Sequence, residues 1–310
     1  SCYNSMGQTS DALRLYKELY PFISSLTISS SVTTTLRYAV TAANCWHFED
    51  AYKIVRSLIQ GMEAFKNCTQ QKDNIGITEL GRAYSAAGTY LAFQRKGNPM
   101  EMYQKALQEF RNDTGNCKIT YSKILHYALD ADNHLLFKEY APLYFNGFPV
   151  ASKDFLEQAA ADGPYVLFLY LKCIYYFYPD TVDQEFCNHL KTFLDNEYVF
   201  EKVHPEPLIL KYAALLFYRI GDKDNARSYI EQSIRHIRAG EISKEKKLNL
   251  TMLMSYQTLW TANEEEGKSD ANQKLLESVM EKCNVSPWEN LHTALSRENS
   301  LCHILCHEYC

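Results

Sequence analysis

Apolar residues recur at spacings of three and four along nearly the whole chain, and this periodicity constrains the fold more than any other feature. Ala12, Leu13, Tyr16 and Leu19 are one example. Such spacing places apolar side chains on one face of an α-helix. The 310 residues include only 12 glycines and 9 prolines, too few turn-formers for a sandwich or barrel of many short strands. The sequence therefore predicts an all-helical protein.

Turn-forming residues divide the chain at fairly regular intervals. Pro21, Gly97, Gly163, Pro179 and Gly221 are among the breaks. The segments between breaks have the length of ordinary globular helices, and their number predicts about 14 to 16 helices. Some segments begin with residues that cap helices well, such as Ser152 and Asp222.

Charge and composition argue against two classes of partner. The net charge is −5, and lysine and arginine are scattered along the chain, so no nucleic-acid surface is expected. The most apolar run, 165–178, is too short to span a bilayer and predicts a buried core helix, with no membrane partner. The ten cysteines are spread through helical stretches and do not frame short loops, which predicts free buried thiols and a cytoplasmic location.

The segment Leu210–Ile234 carries the clearest repeat signature. It reads LKYAALLFYRIGDKDNARSYIEQSI and resembles the tetratricopeptide repeat, a pair of antiparallel helices joined by a glycine-containing turn. The resemblance implies that Gly221 occupies the turn, and that Ala214 and Ala226 are the small residues where the helices cross. It also implies an apolar stripe on the second helix, facing Phe217, formed by Tyr229, Ile230 and Ile234.

Weaker copies of this signature occur elsewhere. Gly7 and Ala12 match one unit, and Ala51 matches another in which Trp46 replaces the turn glycine. Gly81 matches a third unit, whose second helix contains Ala106. The resemblance implies a right-handed superhelix of antiparallel helix pairs over residues 1–240. Residues 241–310 are expected to form a helical capping segment continuous with this array.

In the family that the chain resembles, the first helix of each pair lines a concave binding face. The resemblance therefore implies a protein or peptide ligand, bound by exposed residues of the first helices. The candidate positions are Lys211, Leu215, Tyr218 and Arg219 in the Gly221 unit; Thr78, Arg82 and Ser85 in the Gly81 unit; and Leu36, Val40 and Asn44 in the Ala51 unit.

No catalytic or cofactor-binding motif is found in the sequence. The chain is therefore predicted to be non-enzymatic, with no cofactor, and to be the sensor or regulatory part of a larger protein. The alternatives are a static scaffold subunit of a multiprotein assembly, or an enzyme whose site cannot be read from sequence. Homo-oligomerisation stays open.

The carboxyl-terminal sequence CHILCHEYC is the one local cluster of metal-binding residue types. On a helix, Cys302, Cys306 and Cys310 would share a face, with His303 and His307 beside them. Sulfur and imidazole are ligands that zinc prefers. The apolar residues between them favour the simpler interpretation, in which the cysteines pack in a terminal helix without metal.

The first repeat unit predicts a further helix before the sequence begins. Gly7 precedes Ala12 by the same five residues that separate Gly221 from Ala226. In that register Ser1–Met6 is only the end of a helix. We therefore expect that at least part of one more helix lies upstream.

Overall fold

The computed structural model describes residues 9–45, 47–68, 77–94, 96–197 and 206–238. These residues form α-helices joined by short turns, with no β-strand among them, which confirms the all-helical prediction for this part of the chain. The helices are α1 (Thr9–Leu19), α2 (Ile28–Asn44), α3 (Phe48–Cys68), α4 (Ile77–Gln94), α5 (Pro99–Glu109), α6 (Thr114–Asp130), α7 (His134–Phe145), α8 (Lys153–Ala161), α9 (Pro164–Phe177), α10 (Gln184–Thr192), α11 (Glu206–Arg219) and α12 (Lys223–Arg238).

Residues outside the regular helix interiors determine where several helices begin. The side chain of Asn98 accepts a hydrogen bond from the Glu101 amide at 3.4 Å, directly before Pro99 opens α5. Ser152 caps α8 through the Phe155 amide at 3.3 Å. Asp222 accepts from the Asn225 amide at 3.1 Å at the start of α12. These side chains satisfy amides that have no partner within the helix, and both caps predicted within the described residues are confirmed.

The described residues divide into two compact units, with the boundary between Tyr140 and Ala141. This boundary falls inside α7, one residue before Pro142. The sequence did not predict it. The predicted boundary at residue 240 and the predicted capping segment lie outside the described residues.

In the first unit, consecutive helices pack as neighbours, and alternate helices also touch. α2 packs against α3, α3 against α4, and α4 against α5. α2 also contacts α4, and α4 contacts α6. The core between them contains many alanines with no exposed surface, including Ala39, Ala51, Ala83 and Ala106. Small side chains allow helix axes to approach closely.

Two glycines produce the closest approach in this unit, between α4 and the chain around α5. A Cβ atom placed on Gly81 would lie 2.5 Å from the ring of Phe110, and one on Gly88 would lie 2.8 Å from the ring of Tyr103. Both rings are buried. The glycines are seven residues apart, so they lie on the same side of α4 and form a shallow channel for the two rings.

Polar contacts also connect α3 with α4 and with α5 in the first unit. The hydroxyl of Tyr84 donates to Glu63, and the ammonium group of Lys66 lies 2.9 Å from a carboxylate oxygen of Glu109. Burial is the main cause that raises the pKa of Tyr84, and the hydrogen bond to Glu63 raises it further. The phenol therefore stays protonated and remains a donor to the carboxylate.

In the second unit, α11 and α12 form the predicted helical hairpin. Gly221 lies in the turn with φ of +83°, a conformation that favours glycine. Ala214 and Ala226 have no exposed surface. The rings of Phe217 and Tyr229 stack with centroids 5.4 Å apart. The structure therefore confirms that Gly221 lies in the turn, that Ala214 and Ala226 are buried and that Phe217 faces Tyr229.

The apolar run at 165–178 forms α9, which packs against α8 and α11. Its residues from Val166 to Tyr175 are all buried, which confirms the predicted core helix. Tyr212 of α11 lies against the rings of Phe168 and Tyr175, with centroids 5.8 and 6.2 Å away. In the described part of the chain, no helix has the length and apolar character needed to cross a membrane.

Candidate functional site

A groove of about 740 Å3 runs across one face of the first unit. Three alternate helices supply most of its lining, each through residues spaced three or four apart, with additional contacts from Tyr16 of α1 and from Phe110 after α5. The lining residues are Thr33, Leu36, Arg37 and Val40 from α2; Glu79, Arg82, Ser85 and Ala86 from α4; and Asn116, Ile119, Thr120 and Lys123 from α6.

The groove is open because each of these helices uses its other faces for packing. On α2, Ala39, Ala42 and Ala43 are buried in the core, whereas Arg37 and Val40 are exposed. On α4, Leu80 and Ala83 are buried, whereas Arg82 is exposed. Helical periodicity thus separates the packing residues from the groove residues within one turn.

Positive charge predominates in the groove. Arg37, Arg82 and Lys123 contribute three basic side chains, and Glu79 contributes the single acidic one. The ammonium group of Lys123 donates to the hydroxyl of Ser85 at 3.2 Å. This contact connects α6 to α4 and fixes one of the three cations at the lining of the groove.

Asp113 lies beside the groove at the start of α6 and influences its electrostatics. One carboxylate oxygen accepts from the backbone amide of Asn116 at 3.0 Å, and the other accepts from the side-chain amide of Asn116 at 2.6 Å. These hydrogen bonds are the main cause that lowers the pKa of Asp113, and the positive charge of Arg82 lowers it further. Asp113 therefore stays ionised and offsets part of the charge of Arg82.

The groove also exposes apolar surface. Ile119 is 56% exposed and Val40 is 41% exposed, while Leu36 is half-buried. Tyr16 stacks on Tyr38 with ring centroids 5.8 Å apart, which holds its ring in position. The lining therefore combines aliphatic and aromatic surface with basic groups, a combination suited to binding a peptide segment.

Four of the predicted candidates line this groove, namely Leu36, Val40, Arg82 and Ser85. The expectation that Ser85 is exposed is wrong, because its exposure is only 3%. Thr78 is half-buried at the start of α4 and does not line the groove. Asn44 belongs to α2, but its side chain lies outside the described residues. The binding role of all these residues stays a prediction.

The expectation that Lys211 and Leu215 are exposed is wrong. They are 2% and 4% exposed, because α11 is buried on every side from Leu208 to Phe217. Tyr218 is half-buried and Arg219 is exposed. The guanidinium of Arg219 donates to the Tyr175 carbonyl at 3.3 Å and lies above the Tyr175 ring. These contacts tie Arg219 to α9.

Sequence reasoning missed the contribution of α6 to the groove. Asn116, Ile119, Thr120 and Lys123 follow the same spacing as the residues of α2, but α6 carries no tetratricopeptide-like signature. Arg37 was also missed, although it is adjacent to the predicted Leu36. The available signal was the i, i+3, i+4, i+7 pattern of polar and aliphatic residues on α6.

The described residues contain no group of three or more His, Cys, Asp or Glu side chains that could hold a metal ion. The four cysteines with described side chains, Cys45, Cys117, Cys173 and Cys187, are not joined in disulfide bonds. The weak metal candidates Cys302, Cys306, His303 and His307, together with Cys310, lie outside the described residues.

Comparison with known proteins gave no match: no protein-family model, curated protein or solved structure is similar to this chain.

Proposed function

We propose that this chain is a non-enzymatic helical repeat protein of tetratricopeptide-like type, and that the groove across α2, α4 and α6 binds a segment of a protein partner. One observation carries the proposal: three alternate helices each present residues spaced three or four apart to a single groove. A surface that continues from helix to helix suits a segment of polypeptide, which is itself a chain of regularly spaced groups.

The packing of the first unit supports a superhelical arrangement of pairs. In this arrangement α2 and α3 form one pair and α4 and α5 the next, with α2, α4 and α6 as the first helices. The contacts of α4 with both α2 and α6 are those expected when first helices stand side by side. The α11–α12 hairpin, with Gly221 in its turn, has the geometry expected of a further pair.

The proposed role is that of the sensor or regulatory part of a larger protein, which binds its partner reversibly. A static scaffold subunit is the second candidate. In that role the groove would hold a helix of another subunit that stays bound through purification. The two roles predict different lifetimes for the occupied groove, and dissociation kinetics of the purified complex distinguish them.

The binding proposal is tested by filling the groove without changing its charge. Peptides that bind the full chain are selected from a display library of short random sequences. Their affinities are then measured by fluorescence anisotropy. The double variant Val40→Trp, Ile119→Trp should lose binding, because the added rings occupy the space between α2 and α6. Both positions are substantially exposed, so the variant should keep the melting temperature of the wild type.

The matched control is the double variant Ile28→Trp, Leu135→Trp. Both residues are exposed, at 64% and 80%, and neither lines the groove. This control should bind the selected peptides as the wild type does. Selected peptides that bind equally well to both double variants would contradict the proposed site.

A further inference from the structure

We infer that the segment bound in this groove is acidic and carries aliphatic side chains between its acidic residues. This inference rests on the proposed function and specifies the chemistry of the partner. It follows from the charges and the apolar surface of the lining.

The charge of the groove is opposite to that of the chain as a whole. The chain has a net charge of −5, whereas the lining has three basic groups and one acidic group. A positive excess persists even when Asp113, beside the groove, is counted against Arg82. Fields from distant charges are screened over about 8 Å at physiological ionic strength, so an occupant experiences mainly the local positive groups. Complementary charge therefore favours a partner rich in aspartate and glutamate.

The three cations lie on three different helices, one on each side and one in the middle of the groove. A single small anion would contact only some of these three basic side chains. A polypeptide that crosses the groove can place successive carboxylates near Arg37, Arg82 and Lys123. The hydrogen bond from Lys123 to Ser85 restrains one cation before binding, which reduces the conformational entropy lost on binding.

The aliphatic residues of the lining favour an acidic polypeptide over other polyanions, such as nucleic acids. Val40 and Ile119 are both substantially exposed, and Leu36 lies one turn before Val40. Covering this surface is favourable only for an occupant with apolar groups of its own. A peptide that alternates acidic and aliphatic residues satisfies both requirements. The sugar-phosphate backbone of a nucleic acid satisfies only the electrostatic one.

The test reverses the charge of two groove residues and measures how the sequences of the selected peptides change. Random peptides are selected on the wild type and on the double variant Arg37→Glu, Arg82→Glu. The wild type should enrich peptides with Asp or Glu interleaved with Leu, Ile or Val. The variant should bind these peptides about tenfold more weakly or worse, because like charges then meet across the groove. It should instead enrich peptides that contain Lys or Arg.

The charge-matched control is Arg56→Glu, Lys138→Glu. Both residues are exposed in the first unit and neither lines the groove, so this variant should keep the preference of the wild type. Melting temperatures of all variants verify that they fold.

Several outcomes would overturn the inference. The selected peptides could lack acidic residues and still fail to bind the Val40→Trp, Ile119→Trp variant. This result would agree with the proposed function but refute the acidic partner. Selected peptides that bind both groove variants as tightly as they bind the wild type would refute the proposed function and the acidic partner together. Binding of polyuridylate that depends on Arg37 and Arg82, with no acidic peptide enriched, would replace the peptide with a nucleic acid. A homodimer that dissociates in the Arg37→Glu, Arg82→Glu variant would identify a second copy of the chain as the occupant.

Discussion

At the residue scale, Gly81 and Gly61 show that the same amino acid serves different ends in neighbouring helices. Gly61 lies exposed in α3, and no atom comes within 4 Å of the position of its missing Cβ. Gly81 lies against the ring of Phe110, which is 2% exposed and has little freedom to move. Of these two glycines, only Gly81 occupies a position where the tertiary structure requires the absence of a side chain.

The paired substitutions Gly81→Ala and Gly61→Ala should therefore have effects of opposite sign. Gly81→Ala should destabilise the protein by about 1–3 kcal/mol through overpacking. Gly61→Ala should stabilise it by up to about 1 kcal/mol, because alanine has the higher helix propensity. Urea denaturation followed by circular dichroism measures both free energies of unfolding. Equal effects of the two substitutions would show that α4 and the Phe110 ring are not in close contact.

At the element scale, the start of α6 depends on the ionised form of Asp113. The folded state lowers the pKa of this carboxyl group, chiefly through the hydrogen bonds from Asn116. The resulting stabilisation is fully present above the ordinary aspartate pKa of about 3.9 and is lost as pH falls through the lowered value. The cap of α6 should therefore weaken in acid.

The variant Asp113→Asn isolates this effect, because asparagine can also cap a helix but does not titrate. The melting temperature of the wild type relative to the variant should be constant near neutral pH. The difference should move in favour of the variant as pH falls below about 4. A difference between the two melting curves that is independent of pH would show that the carboxylate does not stabilise this helix start.

The sequence correctly predicted the helix pairs whose turn and crossing residues lie close together in the chain. The α11–α12 hairpin and the α4–α5 pair were located from Gly221 and Gly81 because turn and crossing residues are local signals. Groove positions on α2 and α4 followed from the family resemblance, which implies that exposed positions on the first helix of each pair form the binding face. Lys211 and Leu215 were misplaced because the pattern gives the face of a helix, whereas burial on every side depends on a third helix, α9, distant in sequence.

At the scale of the whole molecule, the contacts of the first unit are mainly between near neighbours in the chain. α4 packs against α3 and α5 and also contacts α2 and α6, whereas α1 packs against α2. In structures built this way a local destabilisation spreads chiefly to adjacent elements. Stability should therefore vary along the chain.

Hydrogen exchange followed by mass spectrometry measures this variation in the Gly81→Ala variant. Amide exchange should accelerate by roughly tenfold or more in α3, α4 and α5, since tenfold corresponds to about 1.4 kcal/mol. Acceleration in α1 should be smaller, because α1 is removed from α4 by two helices along the chain. The same acceleration in every helix of the first unit would indicate one fully cooperative block.

The burial of α9 and α11 on every side has a consequence for the chain when it is not folded. Each helix contains ten consecutive buried residues, Val166–Tyr175 and Leu208–Phe217, and in the unfolded chain both segments become accessible to other molecules. Long, nearly uncharged apolar segments of this kind promote aggregation. One lysine interrupts each of them, Lys172 and Lys211. Chains that unfold on heating would then associate through these segments faster than they refold. The loss of native protein at high temperature would therefore depend on the rate of unfolding and not on the unfolding equilibrium.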